Sequence, residues 1–321
     1  MDIQALRALV AEDMAAVDRL IEARLHSEVV LINQVSHYIV NSGGKRLRPV
    51  LALLSAHACG YRGTRHVEIA AIVELIHTAT LLHDDVVDAS DLRRGRETAN
   101  TVWGNEASVL VGDFLYSRAF QMMVGIHSMR VMEILSDATN TIAEGEVMQL
   151  VNCHDPDTTE ARYLATVRNK TAKLFEAAGQ LGVVLGGLPE AEQGMARYGR
   201  HLGTAFQLID DVLDYSASAE QMGKNSGDDL AEGNPTLPLL YALWHGTAPQ
   251  RQLIRTVIEH GGRGQIGEVR RAIEATGAIA YTAALAKGEV ASALKCLDDL
   301  PASPYKEALV ALAEIAVNRD S

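Results

Sequence analysis

A chain of 321 residues, 48% of them hydrophobic, can bury a large core, which excludes a disordered or fibrous protein. The formal net charge of −12 argues against a nucleic-acid-binding protein, because phosphate contacts need a basic face. The three cysteines lack the spacing of a disulfide framework or a cysteine zinc site, and the first residues do not resemble a signal peptide, so we expect a cytoplasmic protein without a membrane span.

Helical periodicity runs through the chain from beginning to end, whereas alternating strand patterns are absent. The apolar residues that show it include Leu6, Leu9, Val10, Ile72, Leu75, Ile76, Leu309, Leu312 and Ile315. Prolines fall at the predicted helix boundaries, namely Pro49, Pro156, Pro189, Pro235, Pro249 and Pro301. The pattern predicts one all-α domain over residues 1–321, with ten or more helices.

The first polar motif in chain order is the basic segment GGKRLRP, residues 43–49. Its cations, Lys45, Arg46 and Arg48, come just before Pro49, which is typical of the first position of a helix. Glycine backbone and a helix N-terminus both favour a bound anion. A solvated basic turn is the alternative interpretation.

Two aspartate clusters follow, LLHDDVVD at 81–88 and QLIDDVLD at 207–214. Residues four apart share a helix face, so Asp84 pairs with Asp88 and Asp210 with Asp214. One such cluster alone would indicate a solvated face, but the repeated order D-D-V-x-D within apolar sequence favours a shared cation. Oxygen ligands alone suit Mg²⁺, and an EF-hand is excluded because its glycine and closing glutamate are missing.

Taken together, GGKRLRP, LLHDDVVDASDLRRG, KTAKLFEAA, GTAFQLIDDVLDY and GKNSGDDLAEGNPTLP resemble the trans-isoprenyl diphosphate synthases over nearly the whole chain. The resemblance implies a single-domain, isoprenoid-synthase-type helical bundle around a central active-site cavity, assembled as a homodimer. It also implies that isopentenyl diphosphate extends an allylic primer such as farnesyl diphosphate.

The resemblance also assigns roles to residues. The expected catalytic set is Asp84, Asp85, Asp88, Asp210, Asp211, Asp214 and Lys170, and all of its aspartates except Asp211 are expected to bind two or three Mg²⁺ ions. Residues expected at the allylic diphosphate are Arg93, Lys170, Thr171, Gln207 and Lys224. Those expected at isopentenyl diphosphate are Lys45, Arg48, His77 and Arg94. Read without the resemblance, His77 is an ordinary core histidine.

Product length is expected to depend on the residues just before the first aspartate. Ala79 and Thr80 are small, whereas bulky residues there close the cavity in short-chain members of the family. Met122 and Met123 are candidates for the cavity floor, although methionines are also common core residues. The closest resemblance, to bacterial members making C40 chains, implies eight isoprene units, used for a quinone side chain.

One position departs from the family pattern, because EGNPTLP has Asn234 where a lysine is common.

Two other functions are alternatives to chain elongation. A class I terpene cyclase normally mixes Asn, Ser or Thr and Glu in its second metal motif, but here the aspartates are repeated. A non-catalytic regulatory subunit of a heteromeric synthase typically loses aspartates that this chain retains.

Overall fold

The computed structural model describes residues 1–216 and 228–318. Most of these residues are helical and very few lie in strands, so the predicted all-α fold is confirmed. The helices are α1 (Ile3–Ala8), α2 (Ala11–Leu25), α3 (Val30–Val40), α4 (Leu47–Ala58), α5 (Arg65–Val87), α6 (Ala99–Trp103), α7 (Asn105–Gly125), α8 (Met129–Asn152), α9 (Glu160–Val167), α10 (Lys173–Gly186), α11 (Pro189–Ser216), α12 (Asp228–Ala231), α13 (Leu237–His245), α14 (Ala248–His260), α15 (Ile266–Thr276), α16 (Ala278–Lys295) and α17 (Pro304–Val317).

A short hairpin and two single turns lie between the described helices. Strands β1 (Leu92–Arg93) and β2 (Arg96–Glu97) pair antiparallel between α5 and α6. A single π-helical turn, Arg168–Ala172, joins α9 to α10, and a 3₁₀ turn, Arg263–Gln265, precedes α15. Because π-helical turns are rare and often carry functional residues, the first of these turns is a notable feature of the chain.

Most predicted helix boundaries hold, and one needs a correction. Pro189 begins α11, and Gly60 and Gly187 follow α4 and α10 at φ +76° and +70°, the left-handed region in which helices commonly end. Pro49 is the third residue of α4 and not the first, because the helix already begins at Leu47. The amide groups of a first turn have no intrahelical partner, so proline is tolerated there.

The helices form two compact units. The first comprises Met1–Thr139, Leu174–Gly199 and Cys296–Leu312, and the second comprises the described parts of Asn140–Lys173, Arg200–Lys295 and Ala313–Ser321. The single domain over residues 1–321 therefore stays a prediction. Among the described residues, no helix is long and apolar enough to cross a membrane.

Helix α5 is the central element of the first unit. It packs along α7 and also contacts α2 and α4. Ile69, Ile72 and Leu75 on α5 are fully buried, as are Leu51 and Leu54 on α4. The first aspartate motif forms the end of α5, so this core sets the position of the motif.

The second unit has a separate apolar cluster around α13. Leu239 of α13 packs with Ile254 and Val257 of α14 and with Val269 and Ile273 of α15. The C-terminal part of α11 also reaches this cluster through the buried residue Tyr215. Because Tyr215 directly follows the second aspartate motif, the second core holds that motif as the first core holds α5.

Candidate active site

The first aspartate motif occupies the last turn of α5. Asp88 directly follows the helix, and its N–H donates to the Asp84 carbonyl at 2.8 Å, so the helical geometry extends through it. Asp84 and Asp88 therefore share a face, as predicted, and both are partly exposed. Asp85 differs from them, because it is completely buried. The motif thus presents two carboxylates and directs the third inward.

The β1–β2 hairpin supplies the partner of the inward aspartate. Its two central residues, Arg94 and Gly95, have φ of +53° and +74°, the left-handed pair that suits a two-residue hairpin. The chain thereby turns back, and Arg93 Nε donates to Asp85 Oδ1 at 2.7 Å. This hairpin was not predicted from the sequence, although Gly95 after two arginines is a turn signal.

Arg94 lies against the basic segment that precedes α4. Its Nη1 donates to the Gly43 carbonyl, and a Cβ atom at Gly44 would lie 2.7 Å from that same nitrogen. Gly44 therefore makes room for the Arg94 side chain. Burial, followed by the nearby Arg93, lowers the pKa of Arg94. Such a crowded group of cations is well suited to an anionic ligand.

Arg48 and His77, both predicted at the isopentenyl diphosphate site, are in direct contact. Arg48 Nη1 lies 3.1 Å from His77 Nε2, and the guanidinium carbon is 4.4 Å from the ring centroid of Phe175. Burial, then the positive charges of Arg48 and Arg94, hold the pKa of His77 well below its ordinary value. We infer that His77 is neutral and accepts a hydrogen bond from Arg48. Lys45 is exposed in the same basic segment.

Glu74, a buried acid three residues before His77, was not predicted from the sequence. Its Oε1 lies 2.8 Å from Arg46 Nη1, and Arg46 also donates to the Val40 carbonyl. Burial raises the pKa of Glu74, while Arg46, Arg48 and Arg94 oppose that rise. A lone glutamate within an apolar helical run was the available signal. Glu74 is thus a buried acid that holds Arg46, one of the cations of the basic segment.

The second aspartate motif lies near the end of α11 and has the same spacing. Asp210 is partly exposed, whereas Asp214, on the same helix face, is buried. Asp211 is buried, and Tyr163 Oη donates to its Oδ2 at 2.5 Å. The sequence did not indicate Tyr163, because α9 and α11 are far apart along the chain. Again the middle aspartate points inward, but here a neutral hydroxyl meets it.

Two residues predicted at the allylic diphosphate lie beside Asp211. Gln207 Nε2 donates to Asp211 Oδ1 at 2.8 Å, and Thr171 Oγ1 donates to Gln207 Oε1 at 3.0 Å. The structure thus links Thr171 and Gln207 to the second motif in one hydrogen-bonded chain. A side chain held by such a chain loses little further freedom when a ligand binds.

The π-helical turn presents Lys170 beside Thr171. Lys170 Nζ lies 2.6 Å from Glu146 Oε2 on α8. A Cβ atom at Gly145 would lie 2.5 Å from the backbone nitrogen of Lys170, so glycine lets α8 approach the turn closely. The ion pair therefore fixes the direction of the Lys170 side chain.

The amino-acid sequence of this chain matches a known protein family over most of its length. The polyprenyl synthetase model matches residues 29–276. The chain belongs to that family. The resemblance to the trans-isoprenyl diphosphate synthases that the motifs indicated is thereby confirmed.

Individual relatives match this chain over all or nearly all of its length. It is 56% identical to the octaprenyl diphosphate synthase of Escherichia coli (strain K12) over 322 residues, which is 100% of both chains. It is 47% identical to the all-trans-nonaprenyl-diphosphate synthase (geranyl-diphosphate specific) of Rhodobacter capsulatus over 98% of each chain. A solved polyprenyl synthase from Caulobacter crescentus CB15, complexed with calcium and isoprenyl diphosphate, has a TM-score of 0.96 and 43% identity, covering 100% and 98% of the two chains.

Polyprenyl synthetases depend on Mg²⁺, and the donors in this chain suit that ion. Each motif offers two aspartates on one helix face, with oxygen atoms only. Mg²⁺ prefers carboxylates, water and phosphate oxygens, and it uses one or two protein carboxylates per ion. Asp85 was also predicted as a ligand, and in this structure its Oδ1 accepts from Arg93.

Two positions of interest follow the second aspartate motif along the chain. Lys224 lies outside the described residues. Asn234 follows Gly233, which has φ +69° and whose carbonyl accepts from the backbone N–H of His154 at 2.9 Å. A Cβ atom at Gly233 would overlap the His154 ring. The backbone next to Asn234 is therefore tightly held within the second unit.

The predicted chain-length residues lie on two packed helices of the first unit. Ala79 of α5 and Met123 of α7 are fully buried, and Met122 is nearly so. Thr80 is partly exposed, and its hydroxyl donates to the His77 carbonyl at 2.8 Å. Ala79 and Thr80 lie on α5, which carries the first motif, and Met122 and Met123 lie on α7, which packs along it. The role of these residues in product length stays a prediction.

Proposed function

We propose that this chain is a long-chain trans-polyprenyl diphosphate synthase that extends farnesyl diphosphate with isopentenyl diphosphate to octaprenyl diphosphate. The observation that carries the proposal is the 56% identity, over both full lengths, to an octaprenyl diphosphate synthase. All six aspartates of the two motifs are present, as catalysis in this family would require. A quinone side chain is the proposed use of the product.

Ionisation of the allylic diphosphate is the first step of the proposed mechanism. Asp84, Asp88, Asp210 and Asp214 would hold two or three Mg²⁺ ions, with Asp85 as a further ligand. These ions, when bound, supply the positive charge that makes diphosphate a competent leaving group. Asp85 and Asp211, both buried and hydrogen-bonded, anchor the ends of the two helices.

The allylic diphosphate is the proposed ligand of Arg93, Lys170, Thr171, Gln207 and Lys224. Lys170 would exchange its bond to Glu146 for a bond to a diphosphate oxygen, a charge-assisted contact with a stronger anion. Thr171 and Gln207 are already linked by a hydrogen bond, which holds both side chains in place before the ligand arrives. The site would thus orient the breaking C–O bond with little rearrangement.

Isopentenyl diphosphate is the proposed ligand of Lys45, Arg48, His77 and Arg94. Neutral His77 accepts a hydrogen bond from Arg48 and so fixes the direction of the guanidinium group, which would bind phosphate oxygens. The double bond of this substrate would attack the allylic cation, and the departing diphosphate would take up the proton that is lost. Proximity and charge stabilisation then supply most of the rate.

Product length, assembly and location complete the proposal. A chain growing away from the first motif along α5 would pass Thr80 and Ala79, whose small side chains leave room, and would stop near Met122 and Met123. One isoprene unit is about as long as one helical turn, roughly 5 Å. The proposed enzyme is a homodimer and acts in the cytoplasm.

A turnover assay of the purified chain alone tests this function. With farnesyl diphosphate, isopentenyl diphosphate and Mg²⁺, we expect linear C40 diphosphate as the main product, identified by mass spectrometry. Release of a cyclic hydrocarbon would instead identify a terpene cyclase. Turnover that appears only after a second protein is added would identify a regulatory subunit. Either result would replace the proposed function.

A further inference from the structure

Two histidines and an aspartate come together in the first unit, apart from every residue assigned to the diphosphates. Asp13 lies on α2, His57 in the last turn of α4, and His66 in the first turn of α5. One ligand atom from each side chain lies within 4.8 Å of the other two. His66 and Asp84 are 18 residues apart on the same helix, which places them roughly 27 Å apart.

We propose that Asp13, His57 and His66 bind one divalent transition-metal ion of the zinc type, separate from the Mg²⁺ ions of the diphosphate site. Two imidazoles and one carboxylate are a donor set typical of zinc, whereas Mg²⁺ prefers oxygen donors throughout. Three protein ligands leave a further position to water. Asp13 and His57 keep partial access to solvent, so an ion and its water can enter.

The distances between the ligand atoms are close to those that such an ion needs. His57 Nε2 lies 2.6 Å from Asp13 Oδ2, and His66 Nε2 lies 3.1 Å from Asp13 Oδ1. In a tetrahedral zinc site with bonds of about 2.0–2.1 Å, neighbouring ligand atoms are roughly 3.3 Å apart. Small rotations of the side chains would therefore convert two hydrogen bonds into bonds to a shared ion.

Neighbouring groups hold the three side chains in place before any ion binds. The His57 ring stacks on Tyr305 with centroids 4.7 Å apart, and the His66 ring meets the His57 ring edge-on at 4.9 Å. Because each ligand lies on a different packed helix, little conformational freedom remains to be lost on binding. An ion at this position would cross-link α2, α4 and α5.

Protonation of the three groups is also compatible with a metal ion. Each oxygen of the Asp13 carboxylate already faces the Nε2 atom of one histidine ring. Nδ1 of His66 is buried and has no hydrogen-bond partner in the part of the chain that the structure describes. A proton moved to Nδ1 would therefore break no hydrogen bond there, and Nε2 would become a ligand.

Cobalt(II) binding to the full-length chain tests the site, because the visible absorption of Co²⁺ intensifies when nitrogen ligands reduce its coordination from six to four. The titration is done in excess Mg²⁺, which occupies the aspartate motifs. We expect one equivalent of Co²⁺ to give visible bands that Zn²⁺ abolishes by displacement. His57→Phe, which retains the stack on Tyr305, and Asp13→Asn should each weaken binding by about tenfold or more.

Two matched variants and one further measurement keep the outcome unambiguous. His37→Phe changes an exposed histidine on α3, and Asp84→Asn changes the diphosphate site; both should bind Co²⁺ as the unmodified chain does. Zn²⁺ should raise the Tm of the unmodified chain but not that of His57→Phe or Asp13→Asn. Equal Co²⁺ spectra in all four variants, or bands lost only with Asp84→Asn, would show that the cluster is a hydrogen-bonded contact between helices.

Discussion

The two aspartate motifs have the same order of residues but different surroundings. In both, the outer aspartates share a helix face and the middle aspartate is buried. Asp85 is met by the guanidinium of Arg93, whereas Asp211 accepts from the neutral groups of Tyr163 and Gln207. A repeated sequence motif therefore specifies the spacing of its carboxylates, while distant segments of the chain determine how the buried charge is stabilised.

The difference extends beyond the middle aspartate. The first motif is followed by a hairpin whose Arg94 reaches the basic segment, where Arg46 and Arg48 are also found. In the described part of the second unit, Lys170 is paired with Glu146. The arginines near the first motif thus lie close to one another, whereas this lysine lies against a carboxylate.

Loss of an outer aspartate from either motif should have the largest effect. Asp84→Ala and Asp210→Ala should each lower kcat roughly 100- to 1000-fold, because charge stabilisation of the leaving group is lost. Steady-state kinetics with Mg²⁺ measures the change, and circular dichroism checks that the helices remain. Asp298→Ala, at an exposed position, should retain normal turnover. Near-normal kcat in one of the two variants would remove its motif from the mechanism.

Glu74 allows the cationic side of the first unit to be tested separately. Glu74→Gln removes the charge that holds Arg46, and we expect KM for isopentenyl diphosphate to rise about tenfold or more, with a smaller change for the allylic substrate. Steady-state kinetics with each substrate varied in turn measures this. Glu68→Gln on the same helix is the control. An equal rise for both substrates would mean that Glu74 supports the fold as a whole.

Product length should depend on residues of α5 and α7 in the first unit and not on the second aspartate motif. Ala79→Tyr should shorten the main product to C15–C20 with Mg²⁺ dependence retained, and Met123→Ala should lengthen or broaden the distribution. Because both positions are fully buried, overpacking should cost Ala79→Tyr about 1–3 kcal/mol and a cavity should cost Met123→Ala about 2–5 kcal/mol. Chromatography of the products at reduced temperature measures chain length, with Met122→Ala as a companion variant. C40 product from Ala79→Tyr at normal rate would contradict the proposed path.

Low pH should destabilise the folded chain through His77. Its pKa is held well below the ordinary value in the folded chain, so below about pH 6.5 the unfolded chain takes up a proton that the folded chain does not. The free energy of unfolding should fall as pH drops, by at most about 1.4 kcal/mol per pH unit from this group. Urea unfolding of the unmodified chain and of His77→Gln between pH 5 and pH 7.5 isolates the effect. His37→Gln should behave like the unmodified chain, and an unchanged slope in His77→Gln would refute the assignment.

Asn234 is expected to have the smallest effect. Asn234→Lys adds a cation to the second unit. It should increase the affinity for the allylic substrate by a few-fold, with little change in the affinity for isopentenyl diphosphate. Substrate titrations measured by calorimetry compare the two ligands. Asn318→Lys, near the end of α17, is a control for the added charge. Equal changes for both ligands would show that residue 234 is not beside the allylic diphosphate.

The sequence by itself determined the features that depend on local geometry. Apolar periodicity predicted helices because a helix repeats every 3.6 residues, and the four-residue spacing predicted that Asp84 and Asp88 share a face. The same local rule correctly paired Asp210 with Asp214. Motif order was sufficient to identify the family, since it requires no knowledge of how the helices pack.

Tertiary structure alone decided which distant side chains meet. Arg46 and Glu74 are 28 residues apart, Tyr163 and Asp211 are 48 apart, and His66 lies 53 residues from Asp13. No periodicity links such positions, because their contacts arise from the packing of separate helices and from the left-handed turn that directs Arg93 toward Asp85. The sequence therefore determined the spacing of the carboxylates in each motif, and the packing of the chain determined their burial and the charges around them.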